Sequence, residues 1–115
     1  DKIEILSGED HLILPMLSIG AKGVVSVVAN IMPQEMRDLI HSFLTHQYEK
    51  AYELHSKLYD ISRNMFIEGN PVTVKTAMKI LGQLENDNVR LPLVSSERKT
   101  AEKLEKLFRE KRILQ

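Results

Sequence analysis

The residues whose types could do chemistry gather first at Ser7-Gly8-Glu9-Asp10, where a hydroxyl, a bare backbone and two carboxyls follow one another. Glycine in such a turn lets a ligand approach the main chain, and free N–H groups ahead of a helix suit a carboxylate. The same residues also make an ordinary tight turn capped by Asp10, and both readings stand. Glu9 and Asp10 are adjacent at a turn, so their carboxyls point apart, which favours capping over an acid–base pair. The four histidines, His11, His41, His46 and His55, show no i, i+4 spacing for a helical zinc site and complete no certain triad, so no metal is expected. His55 falls on an apolar face and is expected to be a satisfied core residue. Tyr48, Tyr52 and Tyr59 recur at helical spacing, the pattern of packing rather than catalysis.

Elements must hold these residues, and the composition says which. The chain has 115 residues, 43% hydrophobic and 28% charged, with Lys plus Arg matching Asp plus Glu at 16 each. That balance gives no field for nucleic acid or an anionic membrane. Cysteine is absent, which excludes disulfide and thiolate chemistry and fits a cytoplasmic setting. The most apolar stretch, Leu12 to Met32, is interrupted by Pro15, Gly20, Lys22 and Gly23, so neither a spanning helix nor a signal peptide is expected.

Ile3 to Leu6 reads as a strand ended by Ser7 and Gly8. Asp10 caps a short helix over Leu12–Leu17 that Gly20 closes, with Pro15 making it start late or bend. From Gly23 the run Val24-Val25-Ser26-Val27-Val28-Ala29 reads as a strand apolar on both faces, the kind buried inside a parallel sheet. Strand, helix, strand makes a βαβ unit. The rest is helical. Pro33 opens a helix whose inner face is Met36, Leu39, Ile40, Phe43 and Leu44. A second helix, 48–66, turns Tyr48, Ala51, Tyr52, His55, Leu58, Tyr59, Ser62, Met65 and Phe66 to one side. After Gly69-Asn70-Pro71 a third carries Val74, Ala77, Met78 and Leu81 inward. Ser95 or Ser96 caps a last helix with Ala101, Leu104, Leu107 and Phe108 inside and the pairs Glu102–Lys106 and Glu105–Arg109 outside. The fold class expected is therefore α/β, mostly helical, with βα units over residues 1–46 and a helical domain over 47–115. Two strands cannot cover one another, and a (β/α) barrel closes with about eight strands in roughly 250 residues. Further parallel neighbours are expected from outside these residues.

The turn Leu6-Ser7-Gly8-Glu9-Asp10, the run Gly20-Ala21-Lys22-Gly23-Val24-Val25-Ser26-Val27-Val28-Ala29-Asn30, the segment Phe66-Ile67-Glu68-Gly69-Asn70-Pro71-Val72-Thr73-Val74-Lys75 and Arg90-Leu91-Pro92-Leu93 together resemble the dihydrodipicolinate synthase family, in its order and spacing. The resemblance covers the whole chain. It departs at Glu9, usually aspartate in the family, and at Thr73, often proline. Related pyruvate-dependent lyases of the N-acetylneuraminate lyase and 2-keto-3-deoxygluconate aldolase types share the architecture, but the Ser-Gly-acid-Asp turn and the Val-Ser-Val run favour the synthase.

The resemblance implies strands seven and eight of a (β/α)₈ TIM barrel with their helices, plus the C-terminal helical domain. It implies a lyase of lysine biosynthesis that condenses pyruvate with aspartate semialdehyde through a lysine Schiff base, without another cofactor. Such a lysine must be largely neutral and project from the C-terminal end of a strand. Lys2 and Lys22 sit at strand entries, Lys50, Lys57, Lys75 and Lys79 are helical, and the others lie in or beside the last helix, so none qualifies. No catalytic residue is expected on this chain. The resemblance places the Val25 backbone carbonyl against pyruvate, its side chain in the core, and the Gly8 backbone in the substrate pocket. Asn30 is expected simply to end its strand. The implied partners are the N-terminal barrel portion and further copies of the complete enzyme. The contrasting expectation is a non-catalytic helical interaction module, with the βαβ piece docked onto another protein.

Overall fold

The computed structural model describes residues 3–114, which fall into two compact units divided between Arg63 and Asn64. The first opens with β1 (Leu6–Ser7), passes through a 3-10 turn (Asp10–Leu12) into α1 (Ile13–Ser18), and returns as β2 (Gly23–Val24). The strands pair in parallel, Leu6 with Gly23 and Ser7 with Val24, so the expected βαβ order is present. Pro15 is the third residue of α1, in the first turn, where no i−4 acceptor waits for the N–H it lacks. Gly20 ends the helix in the left-handed region, φ 107°, as its N–H bonds the Leu17 carbonyl at 3.1 Å.

Both strands are shorter than the sequence implies. Extended pairing stops at Val24, and the valine run continues into a second 3-10 turn (Val28–Asn30). The expected doubly apolar strand through Ala29 is thus corrected: valine content signals burial and extended propensity, but a turn fastened from outside the run overrides it. Val25 is corrected with it. Its side chain is 70% exposed rather than packed in a core.

Helix α2 (Pro33–Leu44) begins with Pro33 at its first turn and buries Met36, Leu39 and Ser42, while Leu44 is exposed. His46, at φ 63°, closes it, with its N–H on the Phe43 carbonyl and that of Gln47 on the Ser42 carbonyl. Helix α3 (Tyr48–Asn64) then buries Ala51, Leu58, Ile61 and Ser62. Its exposed residues include Tyr48, Tyr52 and Tyr59, so the tyrosine stripe is not the packed face. Ala51, Leu58 and Ser62 of the expected face are buried together with Ile61, while the larger tyrosines keep to its exposed edge. Where the sequence draws a boundary after residue 46, α3 up to Arg63 groups with the βα elements.

The second unit holds α4 (Val72–Ile80) and α5 (Arg98–Glu110). Helix α4 buries two threonines, Thr73 and Thr76, beside Val72, Val74 and Ala77. Thr73 stands where the family often has proline, and its hydroxyl accepts the Glu68 N–H at 3.2 Å and donates to the Glu68 carbonyl at 3.4 Å. Helix α5 buries Thr100, Leu104 and Phe108. Neither Ser95 nor Ser96 caps it; the cap position is Glu97, and Ser96 donates instead to Glu68 Oε1 at 2.8 Å. That carboxylate also accepts the Glu97 N–H at 3.2 Å, so the start of α5 is neutralised from another segment. Hydrogen bonds from Thr100, and then from Ser96 and the Glu97 backbone, hold the Glu68 carboxyl below its ordinary pKa against some desolvation. The ion pairs along α5 are Arg98–Glu102 and Lys106–Glu110, one turn out of phase with those expected.

Candidate functional site

The C-terminal ends of β1 and β2 lie side by side, and the residues that leave them form one small polar structure. The Val25 N–H donates to the Ser7 carbonyl at 2.8 Å, the last rung of the parallel ladder. Ser7, 2% exposed, closes the next turn on itself: its hydroxyl donates to the Glu9 carbonyl at 2.9 Å and accepts the Glu9 N–H at 3.2 Å. Between them Gly8 is exposed and lacks a positive φ, and a Cβ there would meet nothing within 4 Å. The local fold therefore makes no steric demand for glycine at this position, which leaves its value to whatever approaches the backbone from outside.

Asp10 is also 2% exposed, and its carboxyl does not cap its own turn. It reaches across to the segment after β2. Oδ2 accepts the N–H groups of Val27 at 3.0 Å and Val28 at 3.2 Å, and Oδ1 accepts the Ser26 hydroxyl. Ser26 Oγ in turn accepts the Ala29 N–H at 2.8 Å. One side chain thus satisfies the free donors that open the second 3-10 turn, from a residue sixteen to eighteen positions upstream. The only sign of this in the sequence is Ser26, a single hydroxyl inside an apolar run, and reading it as incidental missed the cross-link.

Val25 sits between the ladder and that turn. Its N–H is committed to Ser7, and no hydrogen bond to its carbonyl is found among the described residues. The two expected site residues, Gly8 and Val25, are therefore brought to neighbouring strand ends, both exposed. Asn30 is local: its side-chain amide donates to the Val27 carbonyl at 2.9 Å and trims the turn.

Glu9 takes a different part from Asp10. Its side chain is half exposed, and Oε2 lies 3.3 Å from His11 Nδ1 without hydrogen-bond alignment. His11 and His55 both meet Tyr59 edge-on, at ring separations of 6.3 and 5.9 Å. Burial first, and the neighbouring His11 second, lower the pKa of the His55 imidazole. His55 is thus a half-buried ring against Tyr59 rather than a fully enclosed core residue.

The lysines lie at the surface of the described residues. None among the described residues is buried. Lys57 pairs with Glu35, Lys79 with Asp87, and Lys75 Nζ is held by the Asn88 carbonyl. Lys2 lies outside the described residues. No cluster of three metal-ligating side chains occurs among the described residues, and no helix there is long and apolar enough to cross a membrane.

Residues 1–111 match the model of the "Dihydrodipicolinate synthetase family". The 4-hydroxy-tetrahydrodipicolinate synthase of Geotalea daltonii is 46% identical over 114 residues, 99% of this chain and 39% of the relative. The dihydrodipicolinate synthase of Aquifex aeolicus superposes with a TM-score of 0.90 at 41% identity, over 96% of this chain and 37% of that one. The chloride-inhibited enzyme of Acinetobacter baumannii, solved in complex with pyruvate, gives 0.91 at 28% identity, over 97% and 38%. The chain thus spans about two fifths of the length of the relatives it matches.

Proposed function

This chain belongs to the dihydrodipicolinate synthetase family, and from that premise we propose that it acts as the C-terminal part of a 4-hydroxy-tetrahydrodipicolinate synthase. In this reading it supplies strands seven and eight of a (β/α)₈ barrel and one wall of the pyruvate pocket. The pocket belongs at the C-terminal ends of barrel strands, where loops from successive βα units converge. The observation that carries the proposal is the joint exposure of Gly8 and Val25 at adjacent strand ends, braced beneath by Ser7 and Asp10.

The chemistry divides between this chain and its companion portion. A lysine amine on the companion adds to the pyruvate ketone and expels water, giving an imine protonated on nitrogen. Loss of a methyl proton then gives an enamine whose carbon attacks the aldehyde of aspartate semialdehyde. This chain contributes acceptor and approach surfaces: the Val25 carbonyl toward bound pyruvate, and the Gly8 backbone beside it. The Schiff base is the only activation this chemistry requires, so no further cofactor enters the proposal. We place the complete enzyme in the cytoplasm and expect it to self-associate.

The test is to mix this chain with the N-terminal portion of the Geotalea daltonii relative and assay condensation of pyruvate with aspartate semialdehyde. Activity in the mixture, absent from either piece, is the expected result. Cleavage of N-acetylneuraminate or 2-keto-3-deoxygluconate in its place would move the chain to a sister lyase. A mixture with none of these activities would count against the reading.

A further inference from the structure

We infer that Asp10 is a positioning residue: it sets the direction of the Val25 carbonyl by fastening the segment that follows β2 to the Ser7–Asp10 turn. The inference rests on the proposed function only for the use to which that carbonyl is put. The fastening itself stands on the geometry.

Three facts lead there. First, the ladder does not determine the course of Val25. Paired strand ends at Val24, and Val25 keeps a single rung, its N–H on the Ser7 carbonyl. Beyond that rung the peptide is free to rotate unless something holds its far side. Second, the far side is held by one group. Ser26, Val27 and Val28 all donate to the Asp10 carboxyl, and Ser26 Oγ passes the hold on to the Ala29 N–H. Third, that carboxyl is unsuited to proton transfer with a substrate. It is 2% exposed, and each of its oxygens accepts a donor from the chain itself. The neighbouring Glu9, half exposed, is the carboxyl that solvent reaches. The two acids are thereby separated by role: one organises the mouth and the other faces it.

The arrangement also accounts for Ser26 inside a valine run. A hydroxyl can donate to Asp10 and accept from Ala29 at once, which no aliphatic side chain does. Asparagine at position 10 keeps the shape but offers one acceptor oxygen where the carboxylate offers two. Its amide can still donate to Ser26 Oγ while its oxygen holds the Val27 and Val28 amides, so alanine, which offers neither group, is the variant that releases all three.

Two measurements separate the fastening from its use. In this 115-residue chain, amide hydrogen exchange of Val27, Val28 and Ala29 is followed by NMR in the parent, Asp10→Ala and Ser26→Ala. We expect exchange of the Val27 and Val28 amides in Asp10→Ala, and of the Ala29 amide in Ser26→Ala, to quicken at least about tenfold, the scale of one lost hydrogen bond, with the amides of α2 unchanged. Unchanged exchange at residues 27–29 overturns the inference, as does a uniform rise across the chain. In the reconstituted enzyme the same variants are compared by steady-state kinetics. The expected result is a rise of about tenfold in KM for pyruvate, the scale of one misdirected hydrogen bond, with the pH profile of kcat retaining both limbs. A lost limb would make Asp10 an acid–base group, and unaltered kinetics of the folded variants would make its role structural only; either outcome overturns the inference. An inactive parent mixture removes the proposed function alone, because the exchange measurement still decides the fastening.

Discussion

Asp10 and Glu9 are neighbours in sequence with opposite environments, and the difference sets what each tolerates. Asp10→Ala strands the Val27 and Val28 amides and the Ser26 hydroxyl in a buried place, and should cost about 3 kcal/mol. Glu9→Ala removes a half-exposed carboxyl from an unaligned histidine contact and should cost at most about 0.5 kcal/mol. Urea unfolding of the two variants checks the contrast. The sequence shows Asp10 as a turn residue with a capping chemistry, and that chemistry is correct. What it hides is the recipient, because partners sixteen to eighteen residues away leave no mark in local spacing. His55 supplies a second test. Its lowered pKa means that acid charges the unfolded chain before the folded one. The stability it contributes is complete above the ordinary histidine pKa of 6.5 and is lost as pH falls through the lowered folded value. Denaturation midpoints should therefore drop on moving from neutral pH into the acid range, and His55→Gln should lessen that drop.

At the level of elements, the helices and the βαβ order are legible in the sequence, and the extent of the strands is not. Pro33, the Met36–Leu39–Phe43 spacing and the Gly69-Asn70-Pro71 break state the helices locally, through a period and its punctuation. The valine run has no period to read, so nothing in it announces that pairing stops at Val24. The tyrosines of α3 mislead for a related reason: an aromatic stripe and an aliphatic stripe share the helix, and only tertiary packing chooses between them. Capping likewise escapes local inspection at α5, where Glu68, 28 and 29 residues upstream of its partners Ser96 and Glu97, holds the start of the helix in place of Ser95 or Ser96. Glu68→Gln should lower stability by about 1 kcal/mol, the usual worth of a helix cap. The sign with pH follows from its depressed pKa: the contribution is full above the ordinary carboxyl value of 4.5 and disappears as pH falls through the folded value. The variant should thus be less acid-sensitive than the parent between neutral pH and about pH 3, a difference that thermal melts at the two ends of that range measure.

Across the whole molecule, the two-stranded sheet leaves Ile3, Ile5 and Leu6 more than half exposed. Apolar side chains gathered on and beside a strand pair signal missing contact rather than a finished surface. The doubly apolar strand expected from the sequence is a short strand and a turn, and the demand for further strand neighbours rests instead on the exposed groups on and beside β1. Kept alone, the chain should bind a hydrophobic dye and self-associate, and addition of the N-terminal barrel portion should suppress both. The most direct test of the account is to reduce that mixture with borohydride in the presence of pyruvate and locate the adduct by mass spectrometry. The account predicts a pyruvate-modified lysine on the companion portion and none on residues 1–115. An adduct on any lysine of this chain would contradict it.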